Sequence, residues 1–300
     1  MQKLTLFFLL LLVSANGWAQ RGRKVQNPFF TLHNAIRGDS TYKTFDQQVA
    51  FIKSLGYDGV EINQLDSFEG MKAALDKYGF TGSYFYLKID LDSPLDPRIE
   101  PAIRALKGTQ AVVAPYIISS QKRFAAPSAS ADSLVIQHLR SVAEWAREAH
   151  LPVAIYPHLG YYVQQTEHAL RLAQQIDRPT VGLTFNLCHW LATTPRANRS
   201  DWKRLLTDLK PYLKMMTISG ANNVDASATT NGPNGVWEQY ILPLGTGSFD
   251  TYELVRFAVQ DLAFRGPIGV QCYAMKGDKP TNLHNAIAIW RQYKTRLENP

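Results

Sequence analysis

The stretch Thr180-Val181-Gly182-Leu183-Thr184-Phe185-Asn186 decides how this chain is read. Val181, Leu183 and Phe185 are large and apolar, whereas the residues between them, Gly182, Thr184 and Asn186, are small or polar. Successive side chains of a strand point to opposite faces. One face therefore suits a cover of helices, and the other ends in a polar group at its C-terminal end. Three more segments share the pattern. In 58–63, Val60 and Ile62 oppose Gly59, Glu61 and Asn63; in 152–158, Val153 and Ile155 oppose Ala154, Tyr156 and His158. In 267–273, Ile268, Val270 and Cys272 oppose Gly269, Gln271 and Tyr273. An apolar outer set and an inner set running from small to polar is what a closed parallel barrel asks of its strands, because barrel active sites lie at that end.

Outward from these segments, short apolar runs alternate with longer runs of helical period, the signature of parallel strands joined by helices. Eight strands are predicted, at 28–33, 58–63, 81–87, 110–116, 152–158, 180–186, 213–219 and 267–273. Helices are expected at 45–55, 68–78, 97–106, 131–149, 163–176, 202–212 and 249–264, with a closing helix at 282–297. Asp132-Ser133 reads as a cap of the fourth helix and Pro97 suits the first turn of the third. Gly56 and Gly79 stand where helix ends take a left-handed residue. The pattern is α/β, a (β/α)8 TIM barrel in one domain spanning 26–297. An open doubly wound sheet would want a glycine-rich phosphate turn after its first strand, and His33-Asn34-Ala35-Ile36-Arg37-Gly38 is not one. Two long loops, 119–130 and 219–247, are long enough to be functional.

The first 19 residues read as a secretory signal: Lys3, an apolar run over 4–13, then a small-residue end at Ala19. That run is well short of the roughly 20 residues that span a bilayer, so no stable membrane span is expected and the mature chain is expected to be periplasmic or secreted. The formal net charge of +7 includes Lys3 and the cluster Arg21, Arg23 and Lys24. No basic stripe interleaved with aromatics follows, which argues against a nucleic-acid partner. Two cysteines, Cys188 and Cys272, permit one disulfide; two buried free thiols are the favoured state.

The inward polar residues form a ring of Glu61, Asn63, Tyr156, His158, Asn186, His189, Ser219, Gln271 and Tyr273, with His33 and Thr217 beside it. Any one of them is explained equally well as hydrogen-bonded core. Convergence at one spot favours a site, since an unmet buried polar group costs ~1–3 kcal/mol.

The motifs VAIYPHLG (153–160), VGLTFNLCHWL (181–191), IGVQCYAMKGD (268–278) and GYDGVEIN (56–63) resemble the xylose-isomerase-like barrels, a family of sugar isomerases, epimerases and dehydratases with a branch of abasic-site endonucleases. Members typically hold a divalent metal with acids and a histidine at strand ends. The resemblance places those positions at Tyr156, Asn186, Ser219 and Gln271, all neutral. Oxygen-seeking divalent cations need carboxylates to offset dehydration, so a tightly held metal is disfavoured. His158 and His189 with Glu61 remain as ligands for a softer ion. The resemblance also places His189 at the spacing after Asn186 where the family has a histidine that binds substrate or supports a metal ligand, which implies a carbohydrate contact.

A small-molecule carbohydrate is the expected partner, and the leading reading is an isomerase or epimerase that removes a proton next to a carbonyl, or a lyase or hydratase on an oxidised keto sugar. Such chemistry needs a base near neutral pKa and a group that stabilises the enediolate oxygen. His158 or Glu61 is the expected base, with His189, Asn186 and Lys276 polarising or holding the sugar. Trp190, Tyr161, Tyr162, Trp237 and Tyr240 offer flat faces for a sugar ring, though for any single one packing is the better explanation. The competing reading is a non-catalytic sugar-binding barrel that has lost its metal. An endonuclease ranks third.

Overall fold

The computed structural model describes residues 24–125, 127–229 and 234–299. The expected signal at 1–19, Arg21 and Arg23 lie outside the described residues, as does 230–233 of the second long loop.

Eight strands pair in parallel in sequence order: β1 Phe29–Thr31, β2 Gly59–Asn63, β3 Gly82–Asp90, β4 Val112–Ile118, β5 Val153–Ile155, β6 Val181–Asn186, β7 Leu213–Ile218 and β8 Ile268–Val270. β8 also pairs with β1, which closes the barrel. Around it run α1 Phe45–Leu55, α2 Phe68–Lys77, α3 Ile99–Ala105, α4 Ala129–Glu148, α5 Thr166–Ile176, α6 Leu187–Thr193, α7 Trp202–Leu209, α8 Trp237–Tyr240, α9 Thr251–Arg256 and α10 Lys279–Glu298. The expected helix at 249–264 is shorter; it passes from α9 into a π-helical turn at Phe257–Asp261.

Strand alternation sorts the core into two layers. Val60, Ile62, Val153, Ile155, Val181, Leu183, Phe185, Ile268 and Val270 pack under the helices. Phe30, Leu32, Tyr84, Val112, Ala114, Tyr116, Ala154, Tyr156 and Met215 fill the barrel. The inner layer explains Gly269, where an added Cβ would sit 2.5 Å from the Phe30 ring that plugs the barrel.

Thr44 and Gln47 form a capping box that starts α1, and Gly56 ends it at φ 88°. Gly79, at φ 66°, follows α2. The expected cap of α4 is corrected: Ser128 is the cap, accepting from the Ala131 N–H. Asp132 sits one turn inside, where its carboxylate accepts from the Tyr162 hydroxyl at 2.7 Å and meets His168 Nε2 at 2.9 Å. Pro97 precedes α3, which Arg98 caps. Both cysteines are buried free thiols. No helix among the described residues is long and apolar enough to cross a membrane.

Candidate active site

A cavity of about 330 Å³ opens at the C-terminal ends of the strands. That is the small end of the range for small-molecule pockets, roughly 300–1,000 Å³. Seven residues of the expected polar ring line it: Glu61 and Asn63 from β2, Tyr156 and His158 after β5, His189 from α6, and Gln271 and Tyr273 after β8.

His158 and His189 face each other with ring centroids 4.0 Å apart. One backbone unit sets the protonation of both rings. The Leu159 carbonyl can only accept, and it lies 2.8 Å from His158 Nδ1, so that nitrogen carries the proton. The Leu159 N–H can only donate, and it reaches His189 Nδ1 at 3.1 Å, so the His189 proton is on Nε2. Toward the cavity the pair therefore presents a lone pair at His158 Nε2 and an N–H at His189 Nε2. Burial holds both rings neutral. It lowers the His158 pKa from 6.5 to about 4 and takes His189 well below 6.5, where the neighbouring His158 charge adds to the effect.

Glu61 stands on β2, opposite β6 in the eight-strand circle. Its side chain is buried, and Oε2 accepts from the His33 N–H at 2.8 Å. Burial pushes its pKa up to about 7, against smaller opposing effects from the His33 N–H, the Asn63 side chain and the Arg37 charge. A carboxyl that is half ionised near neutral pH suits a proton carrier.

A continuous aromatic stack makes one wall. Tyr86 stacks on Tyr116 at 4.3 Å, Tyr116 on Tyr161 at 5.2 Å, and Tyr161 on His158 at 4.0 Å. Trp237, from α8, meets His189 edge-on at 4.9 Å. Gln64 donates to the Tyr116 hydroxyl at 2.8 Å from a backbone at φ 68°, ψ 165°, a conformation that strains any residue but glycine. The strain lies in the cavity wall, where Gln64 joins β2 to β4.

Several expected residues do not line the cavity. Asn186 is buried outside the lining, and its Oδ1 accepts from the Cys188 thiol at 3.2 Å. Ser219 is buried and donates to the Tyr240 carbonyl at 2.8 Å, tying β7 to α8. Trp190 packs among Phe185 and Phe249 and borders a separate outer groove. Lys276 is exposed beyond β8. His33 is held by Gln48 at 2.8 Å below the site. Tyr161 and Trp237 line the cavity, whereas Tyr162 and Tyr240 anchor loops through Asp132 and the Val224 carbonyl.

Sequence reasoning missed Asn34, Arg37, Gln64, Tyr86 and Tyr116. The two tyrosines left no signal: Tyr86 and Tyr116 occupy inward positions of strands whose other face is also apolar, so alternation alone did not show which side was in.

The donor set does not fit a divalent cation. Gln271 Oε1 already accepts from Asn34 Nδ2 at 2.7 Å and from the Tyr273 N–H at 3.0 Å, and the Ser219 hydroxyl and the Asn186 oxygen are engaged as described. The Tyr156 phenol is buried and held protonated, its pKa raised well above 10 by desolvation first. None of the four carries a charge to repay the ion's lost hydration. Among the described residues no three His, Cys, Asp or Glu side chains come together as ligands.

A closed parallel barrel with a polar, aromatic-walled cavity at its strand ends defines the class as the (β/α)8 barrels. The profile of the xylose isomerase-like TIM barrel matches residues 49–293, and the chain belongs to that family. A xylose isomerase-like TIM barrel protein from Mycobacterium smegmatis in complex with magnesium is 15% identical, covers 91% of this chain and 98% of its own, and superposes with a TM-score of 0.65. The 3-keto-D-glucoside 4-epimerase of E. coli is 16% identical over 89% of this chain and 99% of its own, with a TM-score of 0.63. A D-allulose 3-epimerase from Methylomonas sp., solved with D-allulose, is 16% identical over 91% and 98%, with a TM-score of 0.64. No curated protein sequence matches the chain.

Proposed function

We propose that this chain is an exported isomerase- or epimerase-type enzyme that moves a proton on the carbon next to a sugar carbonyl, with side chains alone handling the charge. The observation that carries the reading is the pair of neutral histidines whose tautomers Leu159 fixes as one acceptor and one donor. A hydroxyl beside a carbonyl presents the complementary pair. The His189 Nε2–H donates to the carbonyl oxygen, where charge builds as the enediolate forms, and His158 Nε2 accepts the neighbouring hydroxyl proton. Glu61, across the cavity, takes the carbon-bound proton as a carboxylate and returns it to the adjacent carbon. His158 passes its proton to the former carbonyl oxygen, so one hydrogen has moved between carbons and one between oxygens, with both groups regenerated.

The same proton removal on a keto sugar with a β leaving group would give a lyase. Neutral residues at the four family metal positions favour the alternative of a non-catalytic sugar-binding barrel. Proton NMR in D2O separates the readings: with D-fructose or D-xylose, wild type should wash deuterium into a carbon-bound position and Glu61→Gln should lose this by about 10²-fold or more. Bound sugar without exchange in wild type would leave only the binding reading. Export with cleavage after Ala19 rests on the short apolar run; an intact mass of the exported form that retains Met1 would defeat it.

A further inference from the structure

In the closed strand order β1 and β2 lie across the mouth from β5 and β6. The histidine pair ends the far strands. On the near side stands Arg37, in the turn after β1, lining the same cavity. Its main chain is pinned at both ends: the N–H donates to the His33 carbonyl at 2.8 Å, and its carbonyl accepts from Lys279 Nζ. Its guanidinium reaches Asn63 Oδ1 at 3.2 Å. None of the ion pairs among the described residues includes it, although Arg98, Arg104, Arg147, Arg204 and Arg256 all have carboxylate partners. The acid nearest in the cavity, Glu61, is occupied by the His33 N–H and feels Arg37 only through space.

We propose that the cavity takes a sugar acid of the hexuronate class, with its carboxylate paired to Arg37 and its hydroxy-carbonyl end between His158 and His189. This rests on the reading of the site as a carbohydrate site and adds which carbohydrate. A guanidinium is a planar fork that matches a carboxylate with two parallel hydrogen bonds. A phosphate dianion asks for more positive charge than one guanidinium, and Lys279, whose ammonium donates to the Arg37 carbonyl, does not line the cavity. Anchoring one end of a six-carbon chain on β1 leaves the other end at β5 and β6, so the acid and the reacting carbons are read at opposite sides of the mouth.

The test is calorimetric titration of the mature chain at low ionic strength with D-glucuronate, D-glucose and D-glucose 6-phosphate. Glucuronate should bind about tenfold or more tightly than glucose, the size of a charge-assisted hydrogen bond. The preference should shrink with added salt. Arg37→Gln should bring the ratio toward one, while Arg140→Gln, remote on α4, keeps it. Equal binding of glucose and glucuronate by wild type would overturn the acid preference and leave the carbohydrate reading standing. Tightest binding of the 6-phosphate would replace a carboxylate with a phosphate and overturn the proposal. Failure of all three sugars to bind would overturn the carbohydrate reading as well.

Discussion

Leu159 acts through its backbone, and its N–H and carbonyl turn two like side chains into unlike ones. Replacing His189 with Asn should cost about 1 kcal/mol of stability from the one lost backbone partner, against a drop in turnover of about 10²-fold or more. Thermal unfolding and deuterium exchange on His158→Asn and His189→Asn check this; activity loss that only tracked unfolding would return both residues to the core. Glu61 makes a second prediction through linkage. Its carboxyl binds a proton more tightly folded, at about 7, than its ordinary 4.5, so its contribution to stability is full at low pH and is lost as pH rises through about 7. His158 runs the other way, its contribution present above 6.5 and lost as pH falls toward about 4. Glu61→Gln should therefore gain on wild type by roughly 1–3 kcal/mol between about pH 5 and pH 8, read as a widening difference in melting temperature. A constant difference would mean that Glu61 titrates alike folded and unfolded.

At the scale of elements, a buried arginine ties Asn223, Val224 and Tyr240, which flank Trp237 in the chain, to the end of α6. Arg199 donates to the carbonyls of Leu191 at 2.6 Å, Thr194 at 2.9 Å and Val224 at 2.8 Å, to Asn223 Oδ1 at 2.9 Å and to the Tyr240 hydroxyl at 3.2 Å. It thereby joins α6, which carries His189, to the segment between β7 and α8. Arg199→Met keeps the apolar stem and orphans these acceptors, so it should cost about 2–4 kcal/mol and speed amide exchange over 234–242. Unchanged exchange there would show that the loop holds itself. Elements of this kind were only partly legible in the sequence. β2, β5, β6 and β8 could be read to their inward residues because small and polar positions alternate with apolar ones. β3 and β4 could not, because Tyr84-Phe85-Tyr86-Leu87 and Val112–Ile118 are apolar or aromatic on both faces. α6 was hidden by starting at the residue after β6, with no turn signal between. Ser219 was read as an inward group, but β7 ends at Ile218 and its hydroxyl turns to α8. Arg37 carries no sequence signal of its place, since nothing local says that an exposed arginine faces a cavity.

Across the whole molecule the repeated unit was legible because eight strands and their covers must each satisfy the same two-sided pattern. The chemistry was less so, because it depends on which strand ends meet across the mouth. At the other end of the barrel Val25 N–H donates to Glu298 Oε1 at 2.9 Å, and Asn27 Nδ2 donates to the carbonyls of Phe264 at 3.1 Å and Gly266 at 2.8 Å. α10 starts beside the mouth, where its residue Lys279 holds Arg37, and returns to this face. The described chain is thus nearly a ring, with its seam on the side away from the cavity. Circular permutation follows: joining residues 25 and 298 by a short Gly/Ser linker and opening the exposed turn at Gly108, between α3 and β4, should leave the cavity assembled. The permutant should bind the same sugar within a factor of about two while melting at a lower temperature. A permutant that fails to fold would mean that the seam is where this barrel begins to close.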